Sequence, residues 1–170
     1  FKRFSQVLLI TDGDTSILDS LKGKVKVLIQ RCLWHIPYQA KYVLWQDGVK
    51  HKSAEWLQVM SELMEICAIR PLVDCEKTIK KMIESKRKRL ESVIQYCLSK
   101  GYPHTASYLE NAMPDMFTAI EKRLKGKTTS KVERVMRTIN MRVNVSKWSI
   151  AGALNVTKIR LAYYYNGFDA

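Results

Sequence analysis

VLLITDGDTSI, residues 7–17, is the stretch on which the fold turns. Four apolar residues, Val7 to Ile10, run through Thr11 into Asp12-Gly13-Asp14. The segment QVLLIT, residues 6–11, is too brief for a helix and reads as a short buried strand. Asp14 is placed to cap a following helix, whose face is Ile17, Leu18 and Leu21 and whose stop is Gly23. KVKVLIQ, residues 24–30, alternates and is rich in Val and Ile, so it predicts a second strand. A strand, a short helix and a strand form an α/β unit, and the connection makes the two strands parallel if they are neighbours.

Past Pro37 the period changes. From about residue 38 to 124 apolar residues recur at three and four. They run Trp56, Met60, Leu63, Met64, Cys67, then Ile79, Met82, Ile83, Leu90, Val93, Ile94, Cys97. Breaks fall at Asp47-Gly48, Pro71, Gly101-Tyr102-Pro103 and Pro114, giving a helical block with no strand signal. Residues 130–165 again read as helix, interrupted near Asn144 to Ser149. The expected class is therefore α/β, mainly helical, divided as 1–37 (strand-helix-strand), 38–126 (helical insertion) and 127–170 (closing helices).

A net charge of +13 favours polyanionic partners, chiefly nucleic acid, although a basic surface also serves solubility. No run approaches the ~20 apolar residues of a membrane span. Phe1 opens the chain without an initiator Met or a charged leader, which reads as a piece of a longer protein. Cys32, Cys67, Cys75 and Cys97 are irregularly spaced and predict reduced thiols.

Asp12, at a strand's carboxyl end, stands where α/β proteins bind ligands, but Asp-Gly is equally ordinary turn chemistry. DGDTSI also resembles the Asp-x-Asp motif of haloacid dehalogenase-type phosphatases, with Asp12 as nucleophile and Asp14 as acid/base. The later acidic pair that family needs is missing: after position 115 only Glu121, Glu133 and Asp169 are acidic. Cys32 and His35 have the spacing of half a zinc site, or of a buried thiol and an imidazole at a strand-to-helix turn. In TTSKVERVMRTINMR, residues 128–142, Ser130 to Glu133 forms a capping box. Glu133 also stands alone among Lys125, Lys127, Lys131, Arg134, Arg137 and Arg142, a setting that suits a metal ligand flanked by phosphate-binding cations. The basic run Lys77 to Arg89 reads equally as a solvated helix face or a DNA track. Trp34, Trp45, Trp56 and Trp148 could each stack on unpaired bases, but at helical spacing beside Leu and Met the first three read as core, and Trp148 alone reads as a nucleic-acid contact.

Taken in order, these motifs resemble the DDE transposases, and most of all the Mutator-type group with its prokaryotic insertion-sequence relatives. The resemblance implies a partial RNase H-like core interrupted by an all-helical insertion. Asp12 matches the second catalytic aspartate, Cys32 and His35 the family's Cys-x2-His signature, and Glu133 the glutamate after the insertion. KWSIAGALNVTKIRLAYYYNG, residues 147–167, looks like the segment that follows that glutamate. Nothing before Asp12 is acidic, so the family's first aspartate is absent and the fragment alone is expected to be inactive. The implied chemistry is cleavage and transfer of DNA strands by two Mg²⁺ ions, with Mn²⁺ as a substitute, held by Asp12 and Glu133. Lys127, Lys131, Arg134, Arg137, Arg142, Lys147 and Trp148 are the expected contacts to duplex DNA at element ends and target. The resemblance further implies a homo-oligomer acting without a membrane, in a prokaryotic cytoplasm and nucleoid or a eukaryotic nucleus. The alternatives are a basic DNA-binding remnant without chemistry and the phosphatase.

Overall fold

The computed structural model describes residues 5–14, 21, 23–69, 76–124 and 149–166. They belong to two compact units, Phe1–Thr128 and Thr129–Ala170. The first unit opens with β1 (Gln6–Thr11) and β2 (Lys26–Arg31), paired in parallel with Gln6 opposite Lys26 and Thr11 opposite Arg31. The ladder runs on as the Cys32 amide donates to the Thr11 carbonyl at 2.8 Å. β2 starts two residues later than its alternation predicts and ends one residue later. Val7 to Ile10 are half-buried rather than buried, because among the described residues the sheet has only these two strands. Of the connecting helix expected after Asp14, Leu21 is described and buried, and Gly23 has the left-handed φ of 75° that a helix stop uses. The rest of that helix lies outside the described residues.

The helical block follows: α1 (His35–Gln46), α2 (Ala54–Cys67), α3 (Glu76–Ser99), α4 (Pro103–Ala112), a 3-10 turn (Met113–Asp115) and the short α5 (Thr118–Glu121). α1 begins at His35, earlier than residue 38. Pro37 falls in its first turn, where the amide has no intrahelical partner to lose. The remaining breaks lie at the expected places, with Pro103 as the first residue of α4 and Pro114 inside the 3-10 turn. Pro71 is outside the described residues. Ser53 caps α2 by accepting from the Trp56 amide at 3.2 Å. Ile36, Ala40 and Leu44 of α1 meet Val59, Leu63 and Ile66 of α2, Leu90 and Ile94 of α3, and Leu109 of α4 in one buried cluster. Trp56 packs against its edge, as expected, whereas Met64, at the margin of the α2 stripe, is exposed. In the second unit, α6 (Ile150–Asn166) starts where the Ser149 hydroxyl accepts from the Gly152 amide at 3.1 Å. No described helix is long and apolar enough to cross a membrane.

One side chain fastens the sheet to this block. Gln30 is wholly buried; its amide nitrogen donates to the Met116 and Arg31 carbonyls, both at 2.6 Å. Its Oε1 accepts from the Ala119 amide at 2.8 Å, capping the start of α5 from far along the chain. Gln30→Leu keeps the bulk but leaves the buried Met116 carbonyl and Ala119 amide unpaired. It is expected to lower unfolding free energy by about 2–4 kcal/mol in a denaturant titration, from the ~1–3 kcal/mol each orphaned group costs. An unchanged midpoint contradicts this role.

Candidate functional site at the strand ends

The carboxyl ends of β1 and β2 meet α4 and the 3-10 turn, and the chemistry-bearing side chains gather there. The buried Thr11 hydroxyl closes the Thr-Asp-Gly-Asp turn, accepting from the Gly13 amide at 3.1 Å and donating to the Asp14 carbonyl at 3.1 Å. Asp12 is exposed. Its Oδ1 accepts from the Asp14 amide at 3.3 Å and lies 3.4 Å from the Thr11 hydroxyl. Oδ2 accepts no hydrogen bond among the described residues, so one oxygen orients the carboxylate and the other stays open.

Arg31 crosses this turn. Its Nη1 donates to the Asp12 carbonyl at 3.2 Å and its Nη2 to the Asn111 carbonyl of α4 at 3.3 Å. Gly13 permits the crossing: its φ is +122°, and a Cβ there would fall 1.7 Å from Arg31 Nη1. Any other residue would be strained and would displace the guanidinium. The Arg31 Nε and the Tyr108 hydroxyl are buried without a hydrogen-bond partner among the described residues. Burial pushes the Tyr108 hydroxyl up to about 12, with Arg31 opposing and Asp12 among the neighbours that reinforce it. Burial likewise raises the Asp115 carboxyl, again with Arg31 opposing. Asp115 thus lies within electrostatic reach of Arg31, as a second carboxyl on the elements that meet the strand ends. Sequence reading missed it, because only the tertiary path of the 3-10 turn brings it to the strand ends.

Cys32 and His35 span the turn from β2 into α1, where the His35 amide donates to the Cys32 carbonyl at 3.0 Å. Cys32 is fully buried, and the His35 ring stands edge-on to Trp34 at 5.0 Å and to Tyr38 at 6.2 Å. Burial pushes the neighbouring Cys67 thiol up to about 12 against the pull of Lys86, so it keeps its proton at neutral pH. Among the described residues no three His, Cys, Asp or Glu side chains gather as a metal site. Asp12, an exposed carboxylate with an open oxygen, has the donor chemistry for a hard divalent ion and fits one ligand position. Glu133, Lys127, Lys131, Arg134, Arg137, Arg142, Lys147 and Trp148 lie outside the described residues.

Trp34 and Trp45, which helical spacing assigns to the core, are instead 52% and 75% exposed. A period of 3.6 identifies faces but not which of them a neighbour covers. The basic run of α3 divides in two. Lys86 donates to the Glu65 and Ala68 carbonyls at the end of α2, and Arg87 to the Met113 carbonyl and to Glu121 at 2.8 Å. Arg89 holds Glu62 through Nε and Nη2. These three serve packing, while Lys77, Lys80, Lys81 and Lys88 are exposed.

Compared with known families, curated proteins and solved structures, the chain matches no family model and has no significant match to a curated protein or a solved structure.

The Asp115 carboxyl makes a pH-dependent prediction. A carboxyl raised above its unfolded value binds its proton more tightly when folded, so stability is lost as pH rises through its titration range. Asp115→Asn is therefore expected to match the wild-type melting temperature near pH 3 and to exceed it increasingly towards pH 7. A gap independent of pH contradicts this.

Proposed function

We propose that the chain is part of the catalytic core of a DDE-type DNA transposase, with Asp12 and Glu133 as metal-ligating acids and duplex DNA as substrate. The observation that carries this reading is the state of Asp12. It sits at the carboxyl end of a parallel strand, with Oδ1 fixed in the turn and Oδ2 open, beside a strand whose exit bears Cys32 and His35. An all-helical block follows at once, as an insertion ahead of Glu133 requires. The sheet adds support. Parallel strands with continuous apolar runs are usually covered on both faces, and Val7 to Ile10 are only half-buried, so the pair suits a larger core.

When bound, Mg²⁺ would polarise the scissile phosphate and activate the attacking oxygen. The chain's own contribution is orientation. Thr11 and the Asp14 amide set the Asp12 carboxylate, and Arg31 fixes the Asp12 backbone against α4 through the Asn111 carbonyl. The cations around Glu133 would neutralise DNA phosphates, making binding salt-sensitive. In this reading the protein acts as a homo-oligomer on element ends and target.

The test uses the longest natural polypeptide that contains these residues, given duplex DNA carrying the ends of its own element with Mg²⁺ or Mn²⁺. Asp12→Asn and Glu133→Gln are each expected to cut strand cleavage by more than ~100-fold, since metal-site substitutions act on the reacting ions themselves. Duplex affinity should stay within about threefold, because the phosphate contacts remain. Variants that cut like wild type would overturn the assignment. A wild type that binds but never cuts points to a non-catalytic DNA-binding remnant. Mg²⁺-dependent turnover of a small phosphomonoester, lost in Asp14→Ala, points to the phosphatase.

A further inference from the structure

α1 carries two apolar faces, and only one of them meets the core. At 3.6 residues per turn, Trp34, Tyr38, Lys41, Tyr42 and Trp45 fall within an arc of roughly 100°, on the side away from Ile36, Ala40 and Leu44. Trp34 continues the helix by one residue, with φ −74° and ψ −37°. The four aromatic side chains are all markedly exposed: Trp34 52%, Tyr38 41%, Tyr42 47% and Trp45 75%.

The rings are ordered rather than scattered. Trp34 stacks on Tyr38 with centroids 5.2 Å apart and planes 16° from parallel. Tyr42 stands edge-on to Tyr38 at 5.7 Å, and its hydroxyl donates to that of Tyr38 at 3.4 Å. Lys41 Nζ lies 3.7 Å from the centroid of Tyr38 and 4.9 Å from that of Tyr42, so the row carries a held cation. Beyond Trp34 and Tyr38 the surface continues into a cleft of about 390 Å³, walled on its α2 side by Met60 and Met64.

Charge selects the occupant. The charged side chain held on the row is Lys41, and from His35 to Gln46 the helix carries no acidic residue, within a protein of net charge +13. Rings and cations without acids suit an anion that also presents flat apolar faces. Unpaired nucleotides do so, and a duplex, whose bases are stacked on one another, does not. The row is about 16 Å long from Trp34 to Trp45 at the helical rise, which spans a few nucleotides.

We propose that the outward face of α1 is a binding platform for single-stranded nucleic acid, with unpaired bases stacking on Trp34 and Trp45 and Lys41 meeting the phosphate backbone. It goes beyond the proposed activity and requires neither Asp12 nor Glu133, so the two stand or fall separately.

The test is fluorescence anisotropy of the chain with labelled dT10 and with a hairpin duplex of equal charge. Trp34→Ala and Trp45→Ala are each expected to weaken dT10 binding about five- to a hundredfold, from the stacking lost per base. Trp→Phe should restore part of it, and duplex affinity should change by less than about threefold because phosphate contacts persist. Asp12→Asn should bind dT10 as wild type does. The thermal midpoint of Trp45→Ala, whose side chain is the most exposed of the four, checks that folding is intact. Three outcomes would overturn the proposal. The alanine variants hold dT10 as tightly as wild type, or they lose dT10 and duplex equally. Alternatively, the wild type sediments as a dimer that Trp34→Ala/Trp45→Ala dissociates, with dT10 affinity unchanged, which makes the face a self-association surface.

Discussion

The side chain of Gln30 joins two parts of the first unit that differ in kind. On one side is a two-stranded parallel sheet whose hydrogen bonds run between strands. On the other is a helical block whose bonds close within each helix. Neither pattern offers a backbone group to the other, so their boundary would bury carbonyls and amides without partners. A fully buried primary amide solves this, because it carries two donors and an acceptor in one plane. Gln30 spends both donors on carbonyls, Arg31 and Met116, and its acceptor on the Ala119 amide. The path from Met113 to Glu121 is thereby fixed against β2, with Asp115 within electrostatic reach of Arg31.

The helical block uses the same device at its other end. Asp47, just past α1, accepts from the His104 amide at 3.0 Å and from the Thr105 amide and hydroxyl at 2.8 and 2.6 Å. It therefore caps α4 from a distance, where the dipole favours an anion. Lys86 does the converse, placing a cation on the last carbonyls of α2. Much of the charge inside the bundle is thus spent on helix ends, and the net positive charge cannot be read wholesale as a nucleic-acid surface. On α3 itself, Lys77, Lys80 and Lys81 stay exposed, and Lys88 pairs with Glu84 at 3.3 Å.

What was legible in the sequence is what local chemistry decides. The length of β1, Gly23 as a stop and the breaks at Asp47-Gly48 and Pro103 each act within a few residues and lie where expected, while the Val and Ile alternation finds β2 two residues early. Gln30, Arg31, Asp47 and Asp115 were not legible, because their partners stand far along the chain and nothing in a glutamine or an aspartate marks it as a long-range cap. Asp12 falls between the two cases. Its place at the strand end was readable, but the division of labour between Oδ1 and Oδ2 depends on the Thr11 hydroxyl and the Asp14 amide. Cys32 and His35 were found by spacing, and their geometry is that of a turn whose imidazole stands among aromatic rings.

The tryptophans mark the sharpest difference between period and surroundings. Helical spacing sees that Trp34 and Trp45 lie in an apolar pattern, yet α1 has two such patterns side by side, Ile36-Ala40-Leu44 and Trp34-Tyr38-Tyr42-Trp45. A helix apolar on every side belongs in the middle of a bundle. Within the first unit the aliphatic face of α1 supplies the buried core, and the rings of its other face keep 41–75% of their surface exposed. The two faces also differ in chemistry. Aliphatic side chains fill volume, whereas Trp and Tyr rings offer flat areas with polar edges and accept a cation over the ring. Had the outer face served only further packing, aliphatic residues without Lys41 would suffice. Rings with a cation among them are the chemistry that the proposed single-stranded partner, flat-faced and negatively charged, would meet.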